Sequence, residues 1–457
     1  MARKIIIIAH IIHREISEEE CIEALPEAWQ NKEFVFTEVR PYDKIKPLGE
    51  KVEDWVALKE QQKQLFENQV QPYLRTGVTI AYFAAAPIPA MLHLGSLLHD
   101  YYKVKVFTYH RTEKEWYLDA SQKNEQSILV NYKHPLHKNE QFGNVIIRLS
   151  VSAPIAPTDT YILSEPPLQE IDISVTNPQL DALSTEESVM KYADTFIEEL
   201  KKAMGLYPQA QFHLFAAMPT GLSFLIASKI SPTMQASLQT YQYQKTAQVI
   251  YEPAVAINPI VKTVLVLTAC LPHQQFINVK KEADKIEKVL TTKGNAREQY
   301  QVIVKNTASY QDALLLLEEH KPTIVHIASH GDETGVSLGF DRTSRQRTVP
   351  SSSTQQNILN SWETVFEMYQ MNVQCVILNA CQSKEMANRV AVKIQQVVGF
   401  SGSIHDRDAI NFSEVFYRSL SNEYHISNAF EKAKSSVRLN SKGQSICLFY
   451  KGGQLLE

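Results

Sequence analysis

The chain has 457 residues, a formal net charge of −4, 44% hydrophobic and 21% charged residues, and 5 cysteines. That length covers two to four domains of about 100–200 residues, and the composition excludes disordered, collagenous and disulfide-scaffold classes. The charge argues against a protein that coats nucleic acid by bulk attraction, while leaving room for a small anionic ligand held by a few local groups. The odd cysteine count fits a reducing compartment and at least one unpaired thiol. Glycine contributes only 15 residues, less than half the usual ~7% share, so glycines that cluster mark something.

In chain order, Ile5–Ile12 is a mostly β-branched run broken by His10; it reads as a buried first strand rather than a signal peptide. No apolar run reaches the ~18–20 residues of a membrane span, and a cytoplasmic setting is expected. Further on the chain repeats itself. Tyr82-Phe83-Ala84-Ala85-Ala86-Pro87 recurs as Leu214-Phe215-Ala216-Ala217-Met218-Pro219, an offset of 132 residues. At the same offset Val106 meets Leu238, and Thr108-Tyr109 meets Thr240-Tyr241. The two copies, around 79–119 and 211–251, each predict a buried strand (Thr79–Ala84, Gln211–Ala216) and a Pro-containing turn. A helix follows (Ile88–Tyr101, Thr220–Ile230), then a second strand bearing aromatics (Lys105–Tyr109, Ala236–Tyr241). The expectation is an α/β domain over residues 1–252 made of two fused Rossmann-like halves that face each other about a pseudo-twofold axis.

Tyr251-Glu252-Pro253 and Asn258-Pro259 bracket a segment with no period, read as a linker. Residues 260–457 then alternate short apolar runs with amphipathic stretches. The runs Val264–Leu267, Val302–Val304, Thr323–Ala328, Cys375–Leu378 and Val397–Phe400 are of parallel-strand type. Val279–Leu290, Ser309–His320 and Ile358–Tyr369 read as helices, which together make a doubly wound sheet. Nine of the glycines fall in this part, among them Gly331, Gly335 and Gly339. Asp341–Gln356, rich in Ser, Thr and Gln with Arg342, Arg345 and Arg347, is either a mobile hairpin or lid beside a site, or an ordinary solvated loop.

Two predicted strands run into reactive residues: Ser329-His330-Gly331 after one, Asn379-Ala380-Cys381-Gln382-Ser383 after the other. Carboxyl ends of strands line the functional crevice of an open parallel sheet, so His330 and Cys381 are candidate partners. They lie 51 residues apart, close to the roughly 50-residue His-to-Cys separation of caspases. In that reading His330 takes the thiol proton and later protonates the leaving amine, while Cys381 attacks the carbonyl. A helix beginning near Ser383 would turn its N-terminal dipole toward the sulfur. The backbone N–H groups of Gly331 and Cys381 are the candidate oxyanion hole. His326 reads as structural support, and Cys21, Cys270, Cys375 and Cys447 as core; no zinc pattern is present and no cofactor is called for.

Val325-His326-Ile327-Ala328-Ser329-His330-Gly331 and Leu378-Asn379-Ala380-Cys381-Gln382-Ser383 resemble the two catalytic motifs of CHAT-type caspase-like peptidases. Gly402-Ser403-Ile404-His405-Asp406-Arg407-Asp408-Ala409, with Phe412 and Phe416-Tyr417, is similar to an Asp-bearing stretch of separases and CHAT proteins. The resemblance spans about residues 260–450 and implies that Asp406 or Asp408 favours a basic P1 residue; a helix cap is the other reading of either.

In the first domain, each Pro turn precedes a helix whose free N–H groups can hold an anion. Pro87, Pro219 and Thr220 stand at those starts. Tyr109 and Trp116 in one copy, Tyr241 and Tyr243 in the other, offer stacking faces, with Arg111 and Lys245 as basic partners. The Phe-Ala-Ala-x-Pro turns and the Tyr-bearing strands resemble a SAVED domain, the fusion of two CARF-like halves found in bacterial antiviral defence. That resemblance implies a cyclic oligonucleotide activator, cyclic tri-adenylate favoured, supplied by a type III CRISPR complex or a CBASS-type synthase. It also implies homo-oligomers or filaments on ligand binding. The expected protein is a ligand-gated cysteine endopeptidase acting on a protein substrate, with no membrane or long nucleic acid as partner. The alternative is a ligand-gated scaffold that binds partners without cutting.

Overall fold

The computed structural model describes residues 4–47, 52, 54–98, 102–110, 114–119, 126–133, 143–161, 166–208, 210–230, 237–244, 250–259, 261–269, 278–292, 299–332, 335–336, 338, 352–422, 426–440 and 447–456. It divides into two compact units, Met1–Ile260 and Val261–Glu457.

In the first unit β1 (Ile5–Ile11), β2 (Phe34–Val39), β3 (Thr79–Ala85) and β4 (Lys103–Val106) form a parallel sheet in the order β2-β1-β3-β4. The seven residues of β1 are all buried, as a strand covered on both faces requires. The predicted strand over 105–109 is split: Phe107 gives its N–H to Tyr82 O at 2.9 Å. The chain beyond it forms a separate ribbon of β5 (Thr108–His110) and β6 (Glu115–Tyr117). A second sheet takes β7 (Ile128–Lys133), β8 (Asn144–Ser150), β9 (Gln169–Val175), β10 (Gln211–Ala217), β11 (Leu238–Tyr243) and β12 (Tyr251–Ile257), in the order β12-β11-β10-β8-β9-β7. Residues 251–257, predicted as linker, are therefore an edge strand antiparallel to β11. Pro253 hid it, because a residue without an N–H is tolerated on an edge and not within a sheet.

The inner order β9-β8-β10-β11 repeats β2-β1-β3-β4. Ile12 and His13 both donate to Ala85 O (3.1 and 2.7 Å), as Val151 and Ser152 do to Ala217 O (2.9 and 2.8 Å). The repeat thus extends back to the first strand of each half. The helices of this unit are α1 (Glu18–Ala24), α2 (Glu27–Gln30), α3 (Trp55–Leu65), α4 (Ile88–Ser96), α5 (Glu186–Leu206) and α6 (Thr220–Ser228). The equivalent helices α4 and α6 meet each other, the relation a local twofold produces. A Cβ on Gly95 would lie 2.4 Å from Phe224 O, and Tyr82 stacks on Phe224 at 3.7 Å.

The second unit is one sheet of β13 (Lys262–Ala269), β14 (Tyr300–Lys305), β15 (Ile324–Ser329), β18 (Cys375–Asn379), β19 (Gln396–Phe400), β20 (Cys447–Lys451) and β21 (Gln454–Leu456), with a ribbon of β16 (Gly331–Asp332) and β17 (Gly335–Val336). The sheet order is β14-β13-β15-β18-β19-β20-β21, parallel through β19 and antiparallel beyond it. Its helices are α7 (Val279–Thr292), α8 (Tyr310–His320), α9 (Ser352–Tyr369), α10 (Lys384–Ala391), α11 (Asp406–Asn422) and α12 (Ile426–Asn440). Successive strand residues point to opposite faces. Leu265, Val325 and Leu378 pack with α8, α9 and α10 on one side. Val264, Ile324 and Ile377 pack with α7, α11 and α12 on the other. This is a doubly wound α/β unit. Helix α9 begins at Ser352, so 352–356 are helical rather than loop; residues 341–351 of the expected lid lie outside the described residues.

Candidate active site

β15 and β18 pair in parallel with Ala328 opposite Asn379. His330 and Cys381 each follow their paired residue by two positions, off the carboxyl edge of adjacent strands. Neighbouring strands are about 4.8 Å apart, so the topology brings a histidine and a cysteine to adjacent strand ends. Both residues are half-buried. Gly331 follows directly and opens the β16–β17 ribbon, paired with Val336.

A tight turn holds Cys381. Ala380 N–H reaches back to Leu378 O (3.0 Å), and Gln382 adopts φ +51°, a left-handed conformation that costs a side chain-bearing residue about 1 kcal/mol or more. The Gln382 N–H is fixed by Gly402 O at 3.0 Å. Ser383 Oγ donates to Leu378 O and accepts from Phe400 N–H, both at 3.0 Å. With its hydroxyl so engaged, Ser383 does not cap α10, which starts at Lys384. The sulfur lies against Ile404, accepting its N–H at 3.4 Å, with the Ile404 carbonyl at 3.7 Å.

Asp406 and Asp408 open α11 and fare differently. Asp406 is exposed, and its carboxylate accepts the N–H of Asn278, just ahead of α7, at 3.1 and 3.2 Å. Asp408 is 7% exposed, and its carboxylate has no hydrogen-bond or ion-pair partner among the described residues. Asp406, the first residue of α11, is thus tied to the start of α7 rather than capping its own helix, while Asp408 has no such tie.

Beneath the strand ends lies a buried polar cluster. Glu282, His326, Asn379 and Ser413 are each at most 4% exposed and hydrogen-bonded together. His326 was readable as support; Glu282, Asn379 and Ser413 were not singled out. The signal for Glu282 was present. On α7, Ala283, Ile286 and Leu290 face the core, and Glu282 is an acid on that same apolar face.

In the first unit Pro87 and Pro219 cap α4 and α6 at the carboxyl ends of β3 and β10, and Thr220 is the first residue of α6. Pro89 removes an N–H from the first turn of α4, so the two helix starts are not equivalent as anion sites. The aromatic candidates divide. Trp116 is 7% exposed and packs edge-on to Phe83 at 5.3 Å. Tyr241 is 2% exposed, stacked on Phe215 at 4.2 Å with its hydroxyl 2.7 Å from His213 Nδ1. Both rings are buried, Trp116 against Phe83, Tyr109 at 5.1 Å and the Arg14 guanidinium at 5.4 Å, which argues against reading either as an exposed stacking platform. Tyr243 is 51% exposed and Tyr109 half-buried. Arg14, not anticipated, lays its guanidinium 4.1 Å from the Tyr109 ring and pairs with Glu20 at 2.9 Å. Arg111 and Lys245 lie outside the described residues.

Among the described residues no helix is long and apolar enough to cross a membrane. The family model for SAVED, the "SMODS-associated and fused to various effectors sensor domain", matches residues 62–257, and that for the CHAT domain matches 206–449. The two overlap over β10–β12, which belong by sheet pairing to the first unit. No curated protein matches the chain. Among solved structures, the Acinetobacter baumannii Cap4 SAVED/CARF-domain containing receptor with the cyclic trinucleotide 2'3'3'-cAAA is 12% identical over 56% of this chain and 52% of its own, with a TM-score of 0.37. The Moraxella osloensis Cap4 receptor is 13% identical over 55% and 49%, with a TM-score of 0.31. The chain spans about half the length of these receptors. With more than half of its length matched, the chain belongs to the CHAT family of the caspase-like cysteine protease superfamily and carries a SAVED sensor domain ahead of it.

Proposed function

We propose that the protein is a cysteine endopeptidase of prokaryotic antiviral defence, switched on by a cyclic oligonucleotide. The observation that carries this reading is the register of β15 with β18, which supports His330 and Cys381 as a dyad. His330 removes the thiol proton as sulfur attacks the scissile carbonyl carbon. The oxyanion is met by the N–H groups of Gly331 and Cys381, and the C–N bond breaks as His330 passes the proton to the leaving amine. Water then cleaves the thioester with His330 as base and restores the thiol. The uncompensated carboxylate of Asp408 favours a basic P1 side chain.

For the activator, the exposed Tyr243, the Arg14–Tyr109 pair and the starts of α4 and α6 suit bases and phosphates of a compact ring. A cyclic tri-adenylate, as named with the Acinetobacter receptor, is the first to try. The reading extends to a cytoplasmic protein that assembles into homo-oligomers on binding this ligand and cuts a protein substrate. The test is a peptide-library cleavage assay on the full chain with and without cyclic tri-adenylate, alongside light scattering. Ligand-dependent cleavage lost in Cys381→Ala and His330→Ala supports it. Cleavage unaffected by these substitutions, or absent with every cyclic oligonucleotide, overturns it.

A further inference from the structure

Glu282 belongs to none of the motifs above, yet three other segments of the second unit converge on one of its oxygens. Its Oε1 accepts Asn379 Nδ2–H at 2.5 Å, the Ser413 hydroxyl at 2.5 Å and His326 Nε2 at 2.9 Å. These donors come from β18, α11 and β15, and the carboxylate itself from α7. An acid with 4% of its side chain exposed is tolerated in a core only when donors replace its lost water. Here they also fix the geometry. Tyr417 Oη lies 3.2 Å from His326 Nδ1, so the ring is held between Glu282 at Nε2 and Tyr417 at Nδ1. Asn379 Nδ2 reaches Ala409 O (3.1 Å) and Ser413 Oγ (3.0 Å) as well, binding the end of β18 to the first turns of α11.

The two strand residues in this node are His326, four before His330, and Asn379, two before Cys381. We infer that Glu282 is a positioning residue of the peptidase site: it ties the strand ends bearing base and nucleophile to α7 and α11, and so sets the approach of imidazole to thiol. This rests on the peptidase reading. Glutamine keeps one oxygen for the three donors but loses the negative charge that strengthens all three bonds and puts an NH2 group where the second oxygen lies, so the strand ends are held less firmly. Misplacement by about 1 Å costs a proton transfer about 10-fold to 100-fold.

The test uses the full chain and needs no known substrate. Iodoacetamide alkylation of Cys381, followed by mass spectrometry, reports how well His330 takes the thiol proton. Wild type should react faster than His330→Ala, and Glu282→Gln should fall toward the His330→Ala rate. With a cleavable peptide, Glu282→Gln should lower kcat by about 10-fold or more with little change in KM. Ser413→Ala, which removes one donor, should move both in the same direction by less. A Glu282→Gln protein that melts lower but alkylates and turns over like wild type overturns the inference, leaving the cluster only structural. If Glu282→Gln does not fold, Ser413→Ala decides: a wild-type rate overturns the inference and a reduced rate supports it. An equal alkylation rate in His330→Ala and wild type overturns the dyad itself, and the inference with it.

Discussion

Gly399 lies so close to Ala387 that a Cβ on the glycine would sit 2.7 Å from the alanine Cβ and 3.3 Å from Ser383 Oγ. The absent side chain lets α10 sit directly on β19, and Ser383 at the head of α10 clamps the turn that presents Cys381. Gly399→Ala should therefore cost about 1–3 kcal/mol by overpacking and reduce peptide cleavage through kcat rather than KM. Adding Ala387→Gly reopens the space; although glycine costs a helix about 1 kcal/mol, the double variant should cleave faster than Gly399→Ala alone. A single variant with wild-type kcat would show that the seating of α10 does not govern the Cys381 turn.

Asp406 and Asp408 give a separable pair. Asp408→Asn should remove the preference for Arg or Lys at P1 while leaving cleavage of neutral P1 peptides within a few-fold. Asp406→Ala should lower stability by about 1 kcal/mol through the lost bond to Asn278 and leave the P1 profile unchanged. Library sequencing of cleaved peptides reads both. The reverse assignment in that assay would move the pocket to Asp406.

The sequence made the strands of the second unit legible because each is a short run of apolar, mostly β-branched residues bounded by polar segments, and it marked His330 and Cys381 because reactive residues follow two such runs. It could not give their register. Ala328 and Asn379 are paired across a connection of about fifty residues, and only packing on both faces sets that match. The 132-residue repeat stopped at Thr79 for a related reason. The first strands of the halves correspond by topology, Ile11 to Ser150, an offset of 139 residues with little identity. Trp116 and Tyr241 were misread because alternation on a strand says which residues share a face, not whether that face is covered. Glu282 was visible as a misfit on α7, but its partners are three distant segments.

The division among aromatics predicts a division in ligand binding. Tyr243→Ala and Arg14→Gln should each weaken binding of cyclic tri-adenylate by about 5-fold to 100-fold, the range of one lost stacking contact. Tyr241→Phe should cost about 1 kcal/mol of stability by deleting the bond to His213 yet leave affinity within twofold. Titration calorimetry on the full chain compares the three. Loss of affinity in Tyr241→Phe with none in Tyr243→Ala would place the ligand further along the same face of the sheet, at Tyr241 and Phe215.

Two buried histidines limit the acid stability of the first unit. His10 and His93 are buried in the first unit, and burial above all pushes both down to about 3. Their lesser causes are nearby basic groups: His93 and His13 around His10, Lys59 and Lys63 around His93. The folded protein thus keeps both imidazoles neutral, whereas an unfolded chain protonates them below about 6.5. The stability they allow is complete above pH 6.5 and is lost as the pH falls from there toward 3, at up to about 1.4 kcal/mol per pH unit for each histidine. Melting of the full chain, followed from pH 7 to pH 4.5, should shift steadily downward. His93→Gln, which keeps a polar side chain but cannot titrate, should melt lower than wild type at pH 7 and show a shallower slope. Equal slopes in the two proteins would mean that other groups, chiefly carboxylates, set the acid limit. A melting temperature that rises on acidification would contradict the sign of the shift itself.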